Sequence, residues 1–402
     1  MNKIPSILVD AGFPVDQNGA LVEIVIPKVV ATCNTPRKVT FEGQTLNWIP
    51  STAAALQEFE APNCTVLLAN AFRNYSQLTS ISLLALETIA DNDAVNNSSG
   101  GMFYNCTSLI SVNLPALVSL SSYKQNSGNC GAFYGCTGLT SISLPSLTSI
   151  SSSGNNGTSS GAFYGCTGLT SISLPSLTSI SSSGNNGTSS GAFYGCTGLT
   201  SISLPALTSL TSTTSGGPSG AFYGCTGLTS ISLPSLTSLS STGNNGASSG
   251  AFWGCTGLTS ISLPALTSIS VSGVHGSKAG EFYGCTGLTS ISLPSLQYIT
   301  SSHTGTAGND GTFCNCTSLV SAFLPALITC NDGGSSGTFT NCTALETVQL
   351  GSEGHAVTSL GSYVFKNCTQ SGLTITIYTS GGAALANSPW GATNATIVYE
   401  EA

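Results

Sequence analysis

The chain has 402 residues with a formal net charge of −8, and only 6% of its residues are Asp, Glu, Lys or Arg. Between Lys124 and Lys278 there is not one Lys, Arg, Asp or Glu. The protein therefore lacks the basic face that nucleic-acid binding needs to displace counterions. A chain rich in Ser, Thr and Gly with so little charge stays disordered unless a regular apolar pattern supplies a core, and such a pattern is present.

Residues 1–55 stand apart from the rest of the chain. Residues 7–9, 21–26 and 38–41 read as short β segments, divided by turn residues at 16–19 and 34–36. They predict an N-terminal β cap or attachment region, which would cover the first coil and dock to another protein, such as a virion component. The apolar run 4–9 is short, holds Pro5 and ends at Asp10, so it does not read as a signal peptide. No stretch of the chain is long and apolar enough to predict membrane insertion.

From Leu56 the chain repeats itself. The clearest copy is residues 161–180, GAFYGCTGLTSISLPSLTSI, and matching blocks begin at Gly131, Gly191, Gly220, Gly250 and Gly280. One Phe recurs at 72, 103, 133, 163, 193, 222, 252, 282, 313, 339 and 365, which gives eleven copies. A fixed period near 30 residues marks a solenoid, whose units bury their apolar faces only against neighbours. Ile172 and Leu174 alternate with Ser171 and Ser173 as on a half-buried strand. Pro175 ends that strand because it has no N–H for a ladder. Leu177 and Ile180 point inward from a second short segment, and Phe163 and Cys166 close the coil. The fold class predicted is a β-rich solenoid of about eleven coils over residues 56–370. Residues 371–402, with Trp390 near their middle, form a C-terminal strand cap. The structural core comprises the columns Phe133, Phe163, Phe193, Phe222, Phe252, Phe282 and Cys136, Cys166, Cys196, Cys225, Cys255, Cys285.

The internal copies carry an insert between the second apolar segment and Phe. Leu360 and Phe365 are five positions apart, whereas Ile150 and Phe163 are thirteen apart, across SSSGNNGTSSGA. Gly-Asn-Asn-Gly is turn chemistry. Because every insert enters at the same place, a row of loops is expected to project from one edge, and such per-repeat insertions are often the binding face. Inert spacer is the alternative.

LTSISLPSLTSI followed by AFYGCTGL resembles the BspA-like, or Treponema-type, leucine-rich repeats, over about residues 56–399. The ending 374–378, Trp390 and 397–399 is similar to the strand-and-Trp close of such arrays. The chain departs from that family in its longer repeat. The resemblance implies a bacterial surface protein that binds host proteins or other cells, with no catalytic repeat position and no cofactor.

The chemistry-bearing residues are consistent with a non-enzyme. The histidines His275, His303 and His355 fall at different offsets and form no column. The cysteines recur once per repeat, which is no zinc-finger spacing. Their Cβ atoms should all point the same way, so they are expected to be reduced, buried and apolar in behaviour. No serine sits in a GxSxG elbow with triad partners readable from the sequence, and no Gly-rich phosphate loop precedes a helix. The NxT sequons at Asn105, Asn315, Asn341 and Asn367 overlap the repeat and read as repeat residues.

Two surfaces are candidates for binding. One is the insert edge, with Asn155, Asn156, Asn185, Asn186, Asn244 and Asn245, beside the aromatic row Tyr134, Tyr164, Tyr194, Tyr223, Trp253 and Tyr283. Exposed rings could stack on sugars, although their occurrence only beside full inserts suggests that they pack beneath them. The other is the serine face formed by Ser141, Ser143, Ser171, Ser173 and their copies. The function expected is non-enzymatic adhesion or receptor binding to a host or cell-surface protein or glycan, from an extracellular, cell-surface or virion location that includes phage tail or head fibres. A purely structural fibre or decoration component is the alternative. Ice binding is a minor one, because such faces favour threonine.

Overall fold

A computed structural model describes residues 30–31, 38–46, 56–67, 70–93, 100–124, 128–274, 276–304, 310–332 and 337–402. The predicted segments 7–9 and 21–26 and Cys33 lie outside these residues. The described chain winds as a parallel β-solenoid without an α-helix.

One coil explains the rest. In the coil that starts at Gly161, the first strand is Ser171–Ser173, with Ile172 inward and both serines exposed. Leu174 comes next, Pro175 turns the chain, and Leu177 and Ile180 return to the interior. The second strand, Ser179–Gly184, stacks in register on Ser149–Gly154 of the coil before, Ile180 over Ile150 and Gly184 over Gly154. Strands from Thr88–Asp93 to Ser359–Leu360 continue this second ladder as one sheet of ten strands. The first ladder is grouped into sheets of five, two, three and five strands. The sheets are joined by bonds such as Thr200 N–H to Thr170 O at 3.3 Å.

This first ladder begins earlier than Leu56, the expected start. Lys38–Thr40 already pairs in parallel with Glu58–Glu60, and Val30–Ala31 adds an antiparallel edge strand. Lys38 bridges Glu60 at 2.7 Å across that pair. Part of the region read as a separate cap therefore continues the stack.

Phe rings form the spine. All eleven repeat phenylalanines, from Phe72 to Phe365, stack with centroids 5.0–5.6 Å apart. Phe59 tilts against the first ring, and Trp390 closes the last edge-on at 6.5 Å. Each of these eleven rings is fully buried. The position two residues after Phe turns left-handed, with φ near +70° at Gly135, Gly165 and Gly195. Asn fills it at Asn105, Asn315, Asn341 and Asn367 with φ of 56–62°, since Gly and Asn tolerate that conformation best. The asparagines of the sequons are thus turn residues, and Asn341 donates to Asn315 and Asn367 to Asn341 at 2.7 and 2.8 Å.

The inserts are not free loops, which corrects the expectation of a projecting row. From Thr88–Asp93 to Tyr298–Thr304 they lengthen the second strand from two residues, as at Ser359–Leu360, to six or seven. Three of them turn at Asn-Asn-Gly and add a short return strand such as Ser189–Ser190. Return strands stack into a third ladder, bridged through Gly100, Cys130, Ser160, Ser190, Ser219 and Ser249. The two ladders face each other through small side chains, so Ser152, Thr158, Ser160, Ser182, Thr188 and Ser190 are buried. Ser190 Oγ donates to Ser152 O at 3.1 Å and Ser249 Oγ to Ser212 O at 3.2 Å. Only the tips project.

Phe193→Ala opens a cavity in this close-packed spine and should cost about 3–5 kcal/mol. Because coils contact only neighbours, thermal unfolding of the variant should separate into two calorimetric steps. A single transition at the wild-type temperature would contradict the stacked column.

Candidate functional site

The predicted aromatic row is a second ring column. Tyr104, Tyr134, Tyr164, Tyr194, Tyr223, Trp253 and Tyr283 stack face on face at centroid spacings of 3.7–5.9 Å. Arg73 stands over the Tyr104 ring at 5.9 Å and ends the column on that side. Each interior ring has both faces covered by its neighbours, so a sugar ring finds edges there rather than platforms. Burial raises the Tyr134 and Tyr194 hydroxyls above their usual range, while hydrogen bonds with Ser159 and Ser189 of the return strands act the other way. The row thus packs against the insert lobe.

The predicted Asn pairs sit at the tips. Asn156, Asn185, Asn186 and Asn245 are exposed, and Asn155 and Asn244 are half-buried. Asn156, Asn186 and Asn245 take φ of 58°, 50° and 53°. Their amides run along the edge: Asn186 Nδ2 donates to Asn155 Oδ1 at 3.3 Å and to Asn156 Oδ1 at 3.1 Å, and Asn245 Nδ2 to Ser215 Oγ at 3.0 Å. The result is an uncharged row of amides.

Burial alone does not account for the cysteine column, because each thiol also has a partner. Cys166 Sγ donates to Phe133 O at 3.0 Å, Cys196 to Phe163 O at 3.1 Å and Cys225 to Phe193 O at 3.1 Å. The same bond recurs from Cys106 to Cys368, each thiol reaching the Phe carbonyl of the preceding coil. Burial pushes Cys166 and Cys225 up to about 12 and Cys136, Cys196, Cys255 and Cys285 well above the ordinary thiol value. All described cysteines are free thiols.

The histidines give no common site among the described residues. His355 lies 3.4 Å from Ser352 Oγ in a small turn, and the side chains of His275 and His303 lie outside the described residues. Among the described residues, no three His, Cys, Asp or Glu come together as metal ligands. No described helix is long and apolar enough to cross a membrane.

Sequence reasoning missed the buried charges at the ends of the lobe. Glu281 stands where other copies have Ala, and Glu281 Oε2 accepts the Ala251 N–H at 2.9 Å. Asp310 Oδ1 accepts the Ala279 N–H at 2.6 Å, taking the part of a strand carbonyl where the return ladder ends. Asp332 lies close to the backbone of Thr338 and Tyr363, but neither carboxylate oxygen makes a well-aligned hydrogen bond. Desolvation raises Glu281 and Asp332 to about 7, against the pull of these backbone neighbours. At the other end Lys124 is fully buried, in register with Gly154. The signal available was a Glu at the position that holds Ala in the copies from Ala132 to Ala251.

A groove on the outward face of the first ladder was also missed. It holds about 250 Å³ and spans three strands, Ser321–Leu324, Thr347–Leu350 and Thr374–Thr379. Phe323 is 42% exposed on its rim, at a position occupied by serine in the regular copies.

Comparison with known proteins agrees with this architecture. The fold and columns define a leucine-rich repeat protein. The family model described as BspA type Leucine rich repeat region (6 copies) matches residues 32–124, 102–206, 131–303 and 248–388, and the chain belongs to that family. Solved structures similar to it include a leucine rich cell surface protein from Faecalibacterium prausnitzii A2-165, 16% identical over 80% of this chain and 94% of that one, with a TM-score of 0.31. A leucine-rich repeat protein from Bacteroides ovatus ATCC 8483 is 20% identical over 88% and 94%, with a TM-score of 0.29. The pneumococcal vaccine antigen PcpA is 12% identical over 93% and 96%, with a TM-score of 0.28. Scores this low carry no argument about function. No curated protein matches the chain.

These environments lead to two measurements. Thiol titration of the native protein should leave the ten column cysteines unlabelled until denaturant is added, and fast native labelling of most of them would contradict the column. Glu281 and Asp332 have raised native pKa values, so the folded state binds their protons more tightly than the unfolded state does. Their stabilising contribution is full below about pH 4 and is lost as pH rises through about 7. For Glu281 the shift corresponds to about 3 kcal/mol. Glu281→Gln should therefore flatten the fall in stability between pH 4.5 and 8 measured by denaturant melts. An unchanged slope would show that this carboxyl is solvated.

Proposed function

We propose that the protein is a non-enzymatic adhesion or receptor-binding molecule that presents its tip edge to a host or cell-surface protein or glycan. It would be displayed from a cell surface or from a phage tail or head fibre. The observation that carries this reading is the edge itself. Asn155, Asn156, Asn185, Asn186, Asn244 and Asn245 form a repeated, uncharged row of amides outside the packed part of each insert. The three Asn-Asn tips, with Ser215 standing between the second and the third, offer donors and acceptors whose weak contacts add through multivalency. Membership of a leucine-rich repeat family supports a binding role over a catalytic one.

A structural reading has one observation in its favour. The inner faces of the inserts are buried against each other and contribute hydrogen bonds to the stack, so the same form would be expected in every copy even without a ligand.

A screen of the purified chain on host cells, surface proteins and glycans separates the two. The triple variant Asn156→Gly, Asn186→Gly, Asn245→Gly keeps the left-handed turns and removes the amides. It should melt like the wild type and bind host cells and surface proteins at least tenfold more weakly. Wild-type binding of cells and surface proteins by this variant, or no retention of the wild type on any surface, would contradict the edge as recognition site.

A further inference from the structure

The groove beside Phe323 lies on a different ladder from the tips and does not depend on the reading of them. In the regular copies the outward positions of the first strand are serines, as at Ser171 and Ser173. In the last coils those positions become Phe323, Gln349 and Thr376 in one rank, with Ser321, Thr347 and Thr374 in the next. The inward residues beneath also change, from Ile291 to Ala322 and Val348 before Ile375, and stay buried. Phe323 is not part of that core, so core packing does not explain an outward ring.

We propose that this groove binds a neutral oligosaccharide, with the ring of Phe323 as its stacking platform. The ring belongs to neither aromatic column, and its 42% exposure leaves a surface for the C–H face of a pyranose. Ser321, Thr347, Gln349, Thr374 and Thr376 line the remainder together with Ala322 and Val348, so hydroxyls and an amide stand beside the ring. These groups both donate and accept, which suits sugar hydroxyls. Gln349 Nε2 is already directed to Gly351 O at 3.2 Å, so the amide is held in place. Across three strands the groove measures about 10 Å, roughly the length of a disaccharide.

Other occupants fit less well. No Asp, Glu, Lys or Arg lines the groove, so it offers nothing to pair with a phosphate, a sulfate or an acidic peptide. An extended peptide adds to a sheet through an open edge. Each of the three strands is already paired on both sides, from Ser290–Ser292 through to Thr396–Glu401. A single exposed ring is also short of the apolar cluster that anchors a helix in a groove.

The test uses the full chain on an array of gluco-, manno- and N-acetylglucosamine hexasaccharides together with sialylated and sulfated glycans. At least one neutral hexasaccharide should be retained and the anionic ones should not be preferred. Phe323→Ala should weaken that binding at least tenfold with an unchanged melting temperature. Thr376→Arg, which fills the groove with a charged side chain, should do the same and serves if the first variant is destabilised. The tip variant Asn156→Gly, Asn186→Gly, Asn245→Gly should bind the neutral glycan as the wild type does. Wild-type affinity in both groove variants, loss only in the tip variant, or retention of anionic glycans alone would each overturn the proposal. None of these results would by itself remove the reading of the tip edge.

Discussion

The structure depends on in-register stacking of a chain on copies of itself. Parallel ladders set every side chain over its own counterpart at the strand spacing of about 4.8 Å. A residue type can occupy a column only if it tolerates its own image at that distance. Phe and Tyr satisfy this by ring stacking, Asn by amide-to-amide bonds, and Cys by donating one coil down to a Phe carbonyl. Glycine is required where the backbones come closest, because a Cβ on Gly161 would run into the carbonyl oxygen of Gly191. Charge fails the test, since like charges one strand apart repel. That accounts for the absence of Asp, Glu, Lys and Arg between Lys124 and Lys278.

The same rule explains where exceptions occur. A group that cannot stack on itself must sit where the column ends or changes. Arg73 lies at the end of the tyrosine column, Trp390 at the end of the phenylalanine column, and Lys124 near one end of the insert lobe. Glu281 and Asp310 stand near the other end, where the return ladder stops and side-chain carboxylates replace strand carbonyls as acceptors. Phe323 is a third case, an outward ring in coils where the serine pattern has lapsed. Departures from periodicity thus mark the places where a column ends or changes.

The columns were legible because repetition aligns the sequence with itself. Ile172, Leu174, Phe163 and Cys166 occupy the interior places that period and alternation assign to them. The partner of each thiol was not legible, since a carbonyl from the preceding coil leaves no mark in the side-chain pattern. The packing of the insert is hidden for a related reason. Ser-Ser-Ser-Gly reads as polar loop, yet the facing ladders bury its small hydroxyls, some with a backbone acceptor, as Ser190 has at Ser152, and others, such as Ser152 and Ser182, with none. The true start of the stack is equally hidden, because Lys38–Thr40 lacks the Leu and Pro of the regular copies and joins the ladder through backbone pairing and the bridge from Lys38 to Glu60. Glu281 and Phe323 were both visible as letters out of place, but only burial separates a cap from a surface ring.

The stacking rule is tested most directly by distances between spin labels on the exposed first ladder. Ser141 would be paired in turn with Ser260, Ser290, Ser321, Thr347 and Thr374, all on successive or later strands of that face. The account predicts distances that begin near roughly 19 Å and grow by about 4.8 Å for each added coil, on a single line through all five pairs. A plateau, a reversal, or increments unrelated to coil number would contradict the in-register solenoid.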